Sequence, residues 1–369
     1  MLKLITIIGS EGFIGRNLIF YLKSNLKKTK IFKVNRKTNK KVVIKNINHS
    51  DVIINCAGIN RPKSENKFHD NYKICQFIKE NLTSYKKKKL IHISSTKVIN
   101  KNLYGLTKKK AEKVLISSKK SNIITRIIRC PNIYGKWSKP NYNSVIATFC
   151  HDLIRKNSIN IFNENKKIDL IYIDDLCKIL LEEIRSKNNN GNYIKIDKKF
   201  IHKITPKIIL EKLKMFQYYR YNKLIPEFSD TFSKNLYSTY LTFLPKKLFK
   251  YSIEKINDNR GSFVEFIKSK NFGQISYIKI NPMLSRGNHY HMSKVEKFLL
   301  LNGKCEFEFK NMKNSKEKKK FIINSKKTEI METIPGWLHS VKNLSNFPIY
   351  LIIWANEVFD KNKADTYKE

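Results

Sequence analysis

The stretch Gly9-Ser10-Glu11-Gly12-Phe13-Ile14-Gly15 decides the fold of the first half of the chain. It follows a short apolar run directly and opens a segment with helical periodicity. Gly9 suits a tight turn, Gly12 lets the backbone approach a ligand, and Gly15 lets a helix pack closely against a strand. Because a helix N-terminus attracts anions, this spacing predicts a turn that binds the pyrophosphate of a dinucleotide.

Outward from this turn, β-rich runs alternate with helical patterns. Strands are predicted at Lys3–Ile8, Ile31–Val34, Val52–Asn55, Leu90–Ile93 and Ile123–Ile128, helices from Gly12, near Asn71, from Tyr104 and near Asn143, and one more strand and helix within Leu170–Ile184. Such alternation is typical of parallel βαβ units. It predicts an α/β fold with a doubly wound parallel sheet, the Rossmann type that binds NAD(P).

The second part of the chain has a different pattern. After residue 250, short strands follow one another closely, and turn signals such as Asn302-Gly303 and Pro335-Gly336 separate them. This pattern predicts an antiparallel all-β barrel or sandwich. The segment between the two parts is aromatic and ends in Leu244-Pro245, so we predict domains at 1–247 and 248–369.

Lysine and arginine total 74 against 30 acidic residues, which gives a formal net charge of +44. Such an excess can indicate a nucleic-acid or membrane partner. Here the cations are spread along the chain among many isoleucines and asparagines, so we interpret them as compositional bias and argue against nucleic acid. The cysteines form no C-x-x-C pair, and no apolar stretch approaches the roughly 20 residues of a membrane span. We expect a cytoplasmic protein with reduced thiols.

Asn35-Arg36-Lys37 follows the second predicted strand, where NAD enzymes usually place an acid that binds the ribose 2′-hydroxyl. A basic side chain there accommodates a 2′-phosphate, so the sequence predicts NADPH rather than NADH. The alternative is that Arg36 is only a solvated cation. Cys56-Ala57-Gly58, after the third strand, offers small residues where a cofactor lies close to the backbone.

Tyr104 and Lys108 stand four residues apart on one face of a predicted helix, after a strand that ends in Ser94-Ser95. Tyr85 and Tyr290 also begin Y-x-x-x-K stretches, so the motif alone does not identify the catalytic tyrosine. Tyr104 is chosen because it follows the end of a predicted strand. We predict that Tyr104 donates a proton to the alkoxide of a reduced carbonyl, that Lys108 lowers the phenol pKa, and that Ser95 polarises the carbonyl. Ser94 stays an alternative to Ser95. The predicted cofactor-binding residues are Gly9, Ser10, Gly12, Phe13, Ile14, Gly15, Asn35, Arg36, Cys56, Ala57, Gly58, Tyr104 and Lys108.

A set of metal-ligand residues lies in the second part of the chain. His289-Tyr290-His291 puts two imidazoles on one side of a strand, Glu296 follows, and His339 comes from a distant strand. Three imidazoles and a carboxylate are a plausible zinc set. The spacing resembles the cupin motifs, with two departures: Met283 replaces the usual first glycine, and Pro335 adjoins Gly336 without a spacer.

The whole order of motifs resembles a family of bifunctional capsular polysaccharide enzymes that make UDP-2-acetamido-2,6-dideoxy-L-talose, in which an extended short-chain dehydrogenase/reductase is fused to a zinc cupin. The shared stretches are Gly58-Ile-Asn60-Arg61-Pro62, Gly135-Lys136-Trp137, Lys139-Pro-Asn-Tyr-Asn143-Ser, Lys234-Asn-Leu-Tyr237-Ser-Thr-Tyr240-Leu and Arg260-Gly261-Ser-Phe263. The loop from Arg129 to Gly135 resembles the substrate border of nucleotide-sugar members. The resemblance implies substrate contacts at Asn60, Arg61, Asn132, Lys139 and Asn143.

The resemblance also implies a division of labour between the two domains. The cupin would invert carbon 3 of a UDP-linked 4-keto-6-deoxy-N-acetylhexosamine, and the reductase would then reduce carbon 4 with NADPH, in a homodimer. Epimerisation must come first, because the ketone at carbon 4 acidifies the proton at carbon 3. Tyr290 and Lys304 are candidates for the base. Two alternatives stay open: a reductase whose cupin is only a metal-stapled dimerisation module, and a non-catalytic protein that senses NADPH or binds polyanions.

Overall fold

The computed structural model describes residues 4–62, 64–83, 85–117, 122–187, 190–269, 271–360, 362 and 364–369. Lys3, which begins the first predicted strand, lies outside these ranges. The chain divides into two compact units, Met1–Lys214 with Asp230–Leu244, and Met215–Ser229 with Pro245–Glu369. The two units interleave along the chain, and a domain boundary after residue 247 stays a prediction.

The first unit is built on a parallel sheet. Within the described residues the six strands lie in the order β2-β1-β3-β4-β5-β8. They are β1 (Leu4–Ile8), β2 (Lys30–Val34), β3 (Val52–Asn55), β4 (Lys88–Ser95), β5 (Ile123–Cys130) and β8 (Tyr193–Ile194). Strands β6 (Asn132–Tyr134), β7 (Ile168–Tyr172) and β9 (Ile201–Ile204) form a small separate sheet. The doubly wound parallel sheet that the sequence predicts is therefore confirmed.

The described helices are α1 (Phe13–Asn25), α2 (Lys40–His49), α3 (Asp70–Asn81), α4 (Leu103–Ile116), α5 (Val145–Arg155), α6 (Ile173–Arg185), α7 (Pro206–Tyr221) and α8 (Thr231–Leu241). Helices α1 and α6 cover one face of the parallel sheet, and α2, α3 and α4 cover the other. On β3, Val52 and Ile54 belong to the core beneath α1 and α6, whereas Ile53 belongs to the core beneath α2, α3 and α4. Burial on both faces explains why these strands are continuous apolar runs.

Helices α2, α7 and α8 were not predicted. Helix α2 buries only Val43 and Ile47, one turn apart, among lysines and asparagines that hide its periodicity. Helix α8 begins behind Asp230, whose carboxylate accepts a hydrogen bond from the Ser233 backbone amide at 2.7 Å. An aspartate in this position satisfies a free amide of the first turn, so the aromatic segment after residue 226 contains a properly capped helix.

The second unit is antiparallel. One described sheet has the order β10-β11-β12-β19-β14-β17 and the other β16-β15-β18-β13-β20. The strands are β10 (Ile256–Asp258), β11 (Gly261–Ser269), β12 (Gly273–Ile280), β13 (Ser285–Tyr290), β14 (Glu296–Leu300), β15 (Lys304–Asn311), β16 (Lys318–Asn324), β17 (Ile330–Glu332), β18 (Trp337–Asn343), β19 (Ile349–Ala355) and β20 (Tyr367–Lys368). Inward-facing aromatic and aliphatic side chains, among them Phe298, Phe307 and Leu351, form one core. This is the predicted all-β, jelly-roll fold.

The turn before β13 explains one departure from the cupin pattern. Met283 has a φ of 63°, in the left-handed region that normally favours glycine. Its side chain is exposed, so the backbone turn is kept while the residue type changes. Gly336, beside Pro335, has a φ of 78°.

A buried ion-pair group fixes α6 against the parallel sheet. Glu183 accepts hydrogen bonds from Nε and Nη2 of Arg126 at 3.0 and 3.3 Å, and its carboxylate lies 3.1 Å from Nζ of Lys89. All three side chains are less than 10% exposed. Removing one member leaves buried charges without their partner, which is far more costly than losing a surface pair.

We therefore expect Glu183→Ala to lower the free energy of unfolding of the first unit by about 3 kcal/mol. Chemical denaturation followed by the helical circular-dichroism signal measures it. Glu182→Ala is the matched control, because Glu182 is exposed on the same helix, and it should change stability by less than about 0.5 kcal/mol. Equal midpoints for both variants would contradict the prediction.

Candidate functional site

Three segments that follow neighbouring strands meet at the carboxyl edge of the parallel sheet. Gly9 follows β1, Cys56 to Gly58 follow β3, and Ser95 ends β4. A Cβ added to Gly9, whose φ is 81°, would lie 2.7 Å from the backbone nitrogen of Ala57. Chain connections leave β1 and β3 in opposite directions, which makes this edge a topological switch point, where open α/β sheets bind ligands.

The start of α1 is held against this turn by close backbone contact. A Cβ on Gly15 would lie 2.2 Å from the carbonyl oxygen of Gly9, so no larger residue fits. Gly12 caps the helix in an extended conformation without a side-chain hydrogen bond. Ser10 is buried, and Phe13 and Ile14 pack against the core. The first amides of α1 are therefore available to an anion in the crevice.

Of the residues after β2, Asn35 is held by hydrogen bonds, whereas Arg36 is exposed. The Asn35 side chain bonds within the turn: its Nδ2 donates to Glu11 at 2.6 Å, and its Oδ1 accepts from the Lys37 amide and the Thr38 hydroxyl. Asn35 thus shapes the turn, while Arg36 is exposed after β2, where dinucleotide-binding folds contact the adenosine ribose.

Ser95, Tyr104 and Asn60 are close together beside the crevice. The Tyr104 phenol donates a hydrogen bond to Oδ1 of Asn60 at 3.0 Å. Burial raises the pKa of Tyr104, and the neighbouring Ser95 side chain opposes this only in part. The direction is opposite to the one predicted from Lys108, because the loss of solvent dominates and Lys108 is not among the groups that shift this pKa. A phenol with a raised pKa is protonated at neutral pH, as a proton donor must be.

Lys108 is buried one helical turn after Tyr104, and burial lowers its pKa. A Cβ added to Gly58 would lie 2.8 Å from Nζ of Lys108, so the glycine leaves room for the ammonium group. Asn71, which the sequence analysis did not predict, exchanges two hydrogen bonds with the backbone of Ile59, at 2.8 and 3.1 Å. It holds the loop that carries both Gly58 and Asn60.

The two serines at the end of β4 have different neighbours. The Ser94 hydroxyl is buried and donates to Glu112 at 2.5 Å. The same carboxylate accepts from Nε and Nη2 of Arg129. Ser94 is therefore committed to a structural network, and Ser95 is the serine whose hydroxyl is beside the Tyr104 phenol. Glu112 was not predicted, since nothing in its local sequence distinguishes it.

The five predicted substrate residues are only partly brought together. Asn60 reaches Tyr104, whereas Asn132 donates to the carbonyl of Asp169 at 3.1 Å. Arg61, Lys139 and Asn143 are exposed. Nζ of Lys139 lies 5.6 Å from the ring centre of Tyr142, whose phenol acts electrostatically on Tyr104. Tyr142 is thus a further side chain near the predicted site, which the sequence analysis did not single out.

The four predicted metal ligands form one cluster in the second unit. Their ligand atoms all lie within 4.8 Å of one another. Antiparallel pairing of β13 with β18 sets His289 opposite His339, after a register shift at Gly287 that re-aims the strand. Glu296 Oε2 lies 3.3 Å from Nε2 of His291 and 3.4 Å from Nε2 of His339.

The chemistry of this cluster fits a divalent metal such as zinc. Burial and the neighbouring His339 lower the pKa of His289 to about 4, and hydrogen bonds from the histidines hold the pKa of Glu296 well below its usual range. Metal binding needs neutral imidazoles and an ionised carboxylate, and these shifts supply them at neutral pH for His289 and Glu296. Nδ1 of His339 is buried without a described hydrogen-bond partner.

A cavity of about 150 Å³ opens beside the cluster. Arg286 lines it together with His289, Glu296 and His339. Asp258 anchors the guanidinium of Arg286 through Nη2 at 2.6 Å, while its Nε is buried without a described partner. A cation is therefore positioned in the same cavity as the predicted metal.

Comparisons with known proteins cover the whole chain. The model of the NAD dependent epimerase/dehydratase family matches residues 5–196, and the model of the polysaccharide biosynthesis C-terminal domain matches residues 256–367. A UDP-2-acetamido-2,6-beta-L-arabino-hexul-4-ose reductase of Pseudomonas aeruginosa is 34% identical and covers 98% of this chain and 97% of that protein. The chain belongs to the NAD dependent epimerase/dehydratase family.

Solved structures agree with this assignment. The crystal structure of the capsular polysaccharide assembling protein CapF from Staphylococcus aureus is 33% identical, covers 99% of both chains and has a TM-score of 0.85. UDP-glucose 4-epimerase of Thermotoga maritima, 16% identical with a TM-score of 0.55, covers 65% of this chain and shows the fold alone. Family membership makes the chain a nicotinamide-dependent enzyme. Among the described residues, no helix combines the length and apolar character needed to cross a bilayer.

Gly15→Ala should weaken binding of the nicotinamide cofactor by about tenfold or more, because its Cβ would collide with the Gly9 carbonyl and push α1 away from the turn. Titration followed by cofactor fluorescence measures the affinity. Lys23→Ala is the control, since Lys23 is exposed on the same helix. Unchanged affinity in Gly15→Ala would show that the close contact is not needed.

Proposed function

We propose that the first unit uses NADPH to reduce the 4-keto group of a UDP-linked 2-acetamido-2,6-dideoxy-hexulose. The observation that carries this proposal is the Tyr104 phenol, protonated, within reach of Ser95 and Asn60 beside the glycine turn. The printed name of the Pseudomonas aeruginosa relative supports the substrate class. Enzymes of this kind and their UDP-sugar substrates are expected in the cytoplasm.

When bound, NADPH would supply the hydride that reduces carbon 4 of the sugar. The Tyr104 phenol turns its hydrogen bond from Asn60 to the sugar oxygen and gives up its proton as negative charge develops there. The Ser95 hydroxyl donates a second hydrogen bond to the same oxygen. Lys108, whose ammonium group lies against Gly58 one helical turn after Tyr104, would stabilise the phenolate that is left until a proton from solvent restores it.

We infer that the second unit holds zinc through His289, His291, Glu296 and His339 and epimerises carbon 3 of the same sugar. Zinc would supply Lewis-acid chemistry beside the cavity. Arg286 would stabilise negative charge on the sugar oxygen after the carbon 3 proton is removed, and its Nε is buried without a described partner. Of the two candidate bases, Lys304 is exposed at the start of β15 and Tyr290 stacks on Tyr367 at 5.4 Å.

The number of protein ligands is the argument for the alternative, in which the metal is purely structural. Four protein ligands fill a tetrahedral shell, whereas catalytic zinc normally keeps one position open. The cavity beside the cluster, with a cation on its wall, favours catalysis. The homodimer expected from the family resemblance stays a prediction that light scattering would test, and the non-catalytic alternative predicts NADPH binding without turnover.

Tyr104→Phe should lower the rate of 4-keto reduction on the order of 10²-fold or more, because no proton donor is left for the sugar oxygen. The same variant should keep deuterium incorporation at carbon 3, and His289→Ala should lose this incorporation while keeping reduction of a substrate that needs no epimerisation. NADPH oxidation and NMR of the sugar in deuterated water measure the two steps.

Tyr85→Phe and His49→Ala are the controls, because both side chains are exposed and Tyr85 begins a Y-x-x-x-K stretch of its own. Both should behave as wild type. Equal loss of both steps in folded Tyr104→Phe and His289→Ala would contradict separate sites. If the wild type incorporates no deuterium at carbon 3, the proposed epimerase activity is refuted and only the reductase activity remains.

Arg36→Ala should lower kcat/KM for NADPH about tenfold and leave the value for NADH nearly unchanged, because only NADPH carries the 2′-phosphate. Steady-state kinetics with both cofactors test it. Lys33→Ala is the control, since Lys33 is another exposed cation on β2. A parallel fall for both cofactors, or an equal effect of Lys33→Ala, would refute the assignment of Arg36.

A further inference from the structure

The segment from Asp365 to Lys368 lies along strand β13, which carries the proposed metal ligand His289, and along the residues directly after it, which include the ligand His291. Strand β20 pairs with β13, so that His289 is opposite Lys368 and Tyr290 is opposite Tyr367. The rings of Tyr290 and Tyr367 stack with their centres 5.4 Å apart. Residues far from the ligands in sequence thus border the metal site directly.

Asp365 contacts a ligand through its backbone. Its carbonyl oxygen accepts a hydrogen bond from Nδ1 of His291. The bond places the proton of a neutral His291 on Nδ1 and turns Nε2 toward Glu296, 3.3 Å away. His291 is 1% exposed, so solvent does not replace this partner.

The Asp365 carboxylate organises the turn between the ligands His291 and Glu296. It accepts hydrogen bonds from the backbone amides of Met292, Ser293 and Lys294 at 2.8, 2.7 and 2.8 Å. The Ser293 hydroxyl adds a fourth at 2.9 Å. Charge-assisted bonds of this kind are stronger than neutral ones. One residue therefore fixes both the orientation of a ligand and the path of the chain to the next.

We propose that Asp365 is a positioning residue of the metal centre, whose carboxylate and backbone carbonyl together hold His291 in the metal-binding tautomer and orientation. The proposal rests on the metal site proposed above. Its physical reason is that partners of ligating histidines orient the ring and raise its basicity, and their loss typically lowers metal affinity about 10- to 100-fold. Losing the carboxylate frees the 292–294 turn, and the carbonyl then leaves His291.

The test uses the full chain with zinc and cobalt as probes. Zinc affinity is measured by competition with a chromophoric chelator for wild type, Asp365→Ala, Asp365→Asn and Asp360→Ala. Asp360 is the matched control, because its carboxylate also accepts a backbone amide, that of Asn362 at 2.9 Å, and is exposed. In the cobalt-loaded protein, NMR of the shifted imidazole N–H signals reports hydrogen exchange at each ligand.

We expect Asp365→Ala to lower zinc affinity about 10- to 100-fold, with a smaller loss in Asp365→Asn and wild-type affinity in Asp360→Ala. One imidazole N–H signal should exchange faster in Asp365→Ala, an effect that general loosening of the fold would not confine to one ligand. If Asp365→Ala does not fold, the loss in Asp365→Asn decides. Wild-type affinity in both Asp365 variants, or an equal loss in Asp360→Ala, overturns the proposal, whereas a wild type without zinc affinity overturns the metal site instead.

Discussion

The close contact between two backbone turns is the constraint on which the first unit depends. Gly9 leaves no space for a Cβ against Ala57, and Gly15 leaves none against the Gly9 carbonyl. These contacts place the open amides of α1 at the edge where β3 and β4 also end. A crevice built in this way is defined by backbone atoms, and the side chains of Ser95 and Tyr104 only have to reach into it.

The metal cluster depends on a different constraint, the register of antiparallel strands. His289 meets His339 because β13 and β18 pair with a shift at Gly287, and Glu296 arrives as the first residue of β14. A slip by one residue would turn either histidine to the other face of its sheet. Long-range strand pairing and the hydrogen bonds of Asp365 hold the ligands in place here, as the close glycine contacts hold the start of α1 in the first unit.

Residues whose role follows from local pattern were predictable, and residues whose role follows from distant packing were not. The glycine spacing and the H-x-H-x-x-x-x-E stretch each signal their chemistry within a few positions, and the structure brings those ligands together. Asn71, Glu112 and Asp365 act on segments 12, 18 and 71–74 residues away, so nothing beside them in sequence reveals their partners. Helix α2 escaped prediction because its two buried residues carry too little periodicity among the lysines.

Burial has opposite chemical consequences at the two sites, and both suit neutral pH. It raises the pKa of the Tyr104 phenol, so the proton needed for a developing alkoxide is present until the medium becomes strongly basic. At the metal cluster it lowers the pKa of His289 to about 4, while hydrogen bonds keep Glu296 ionised, so these two ligands are free of protons down to acidic pH. A donor that must be protonated and ligands that must not be can therefore work in one chain at the same pH.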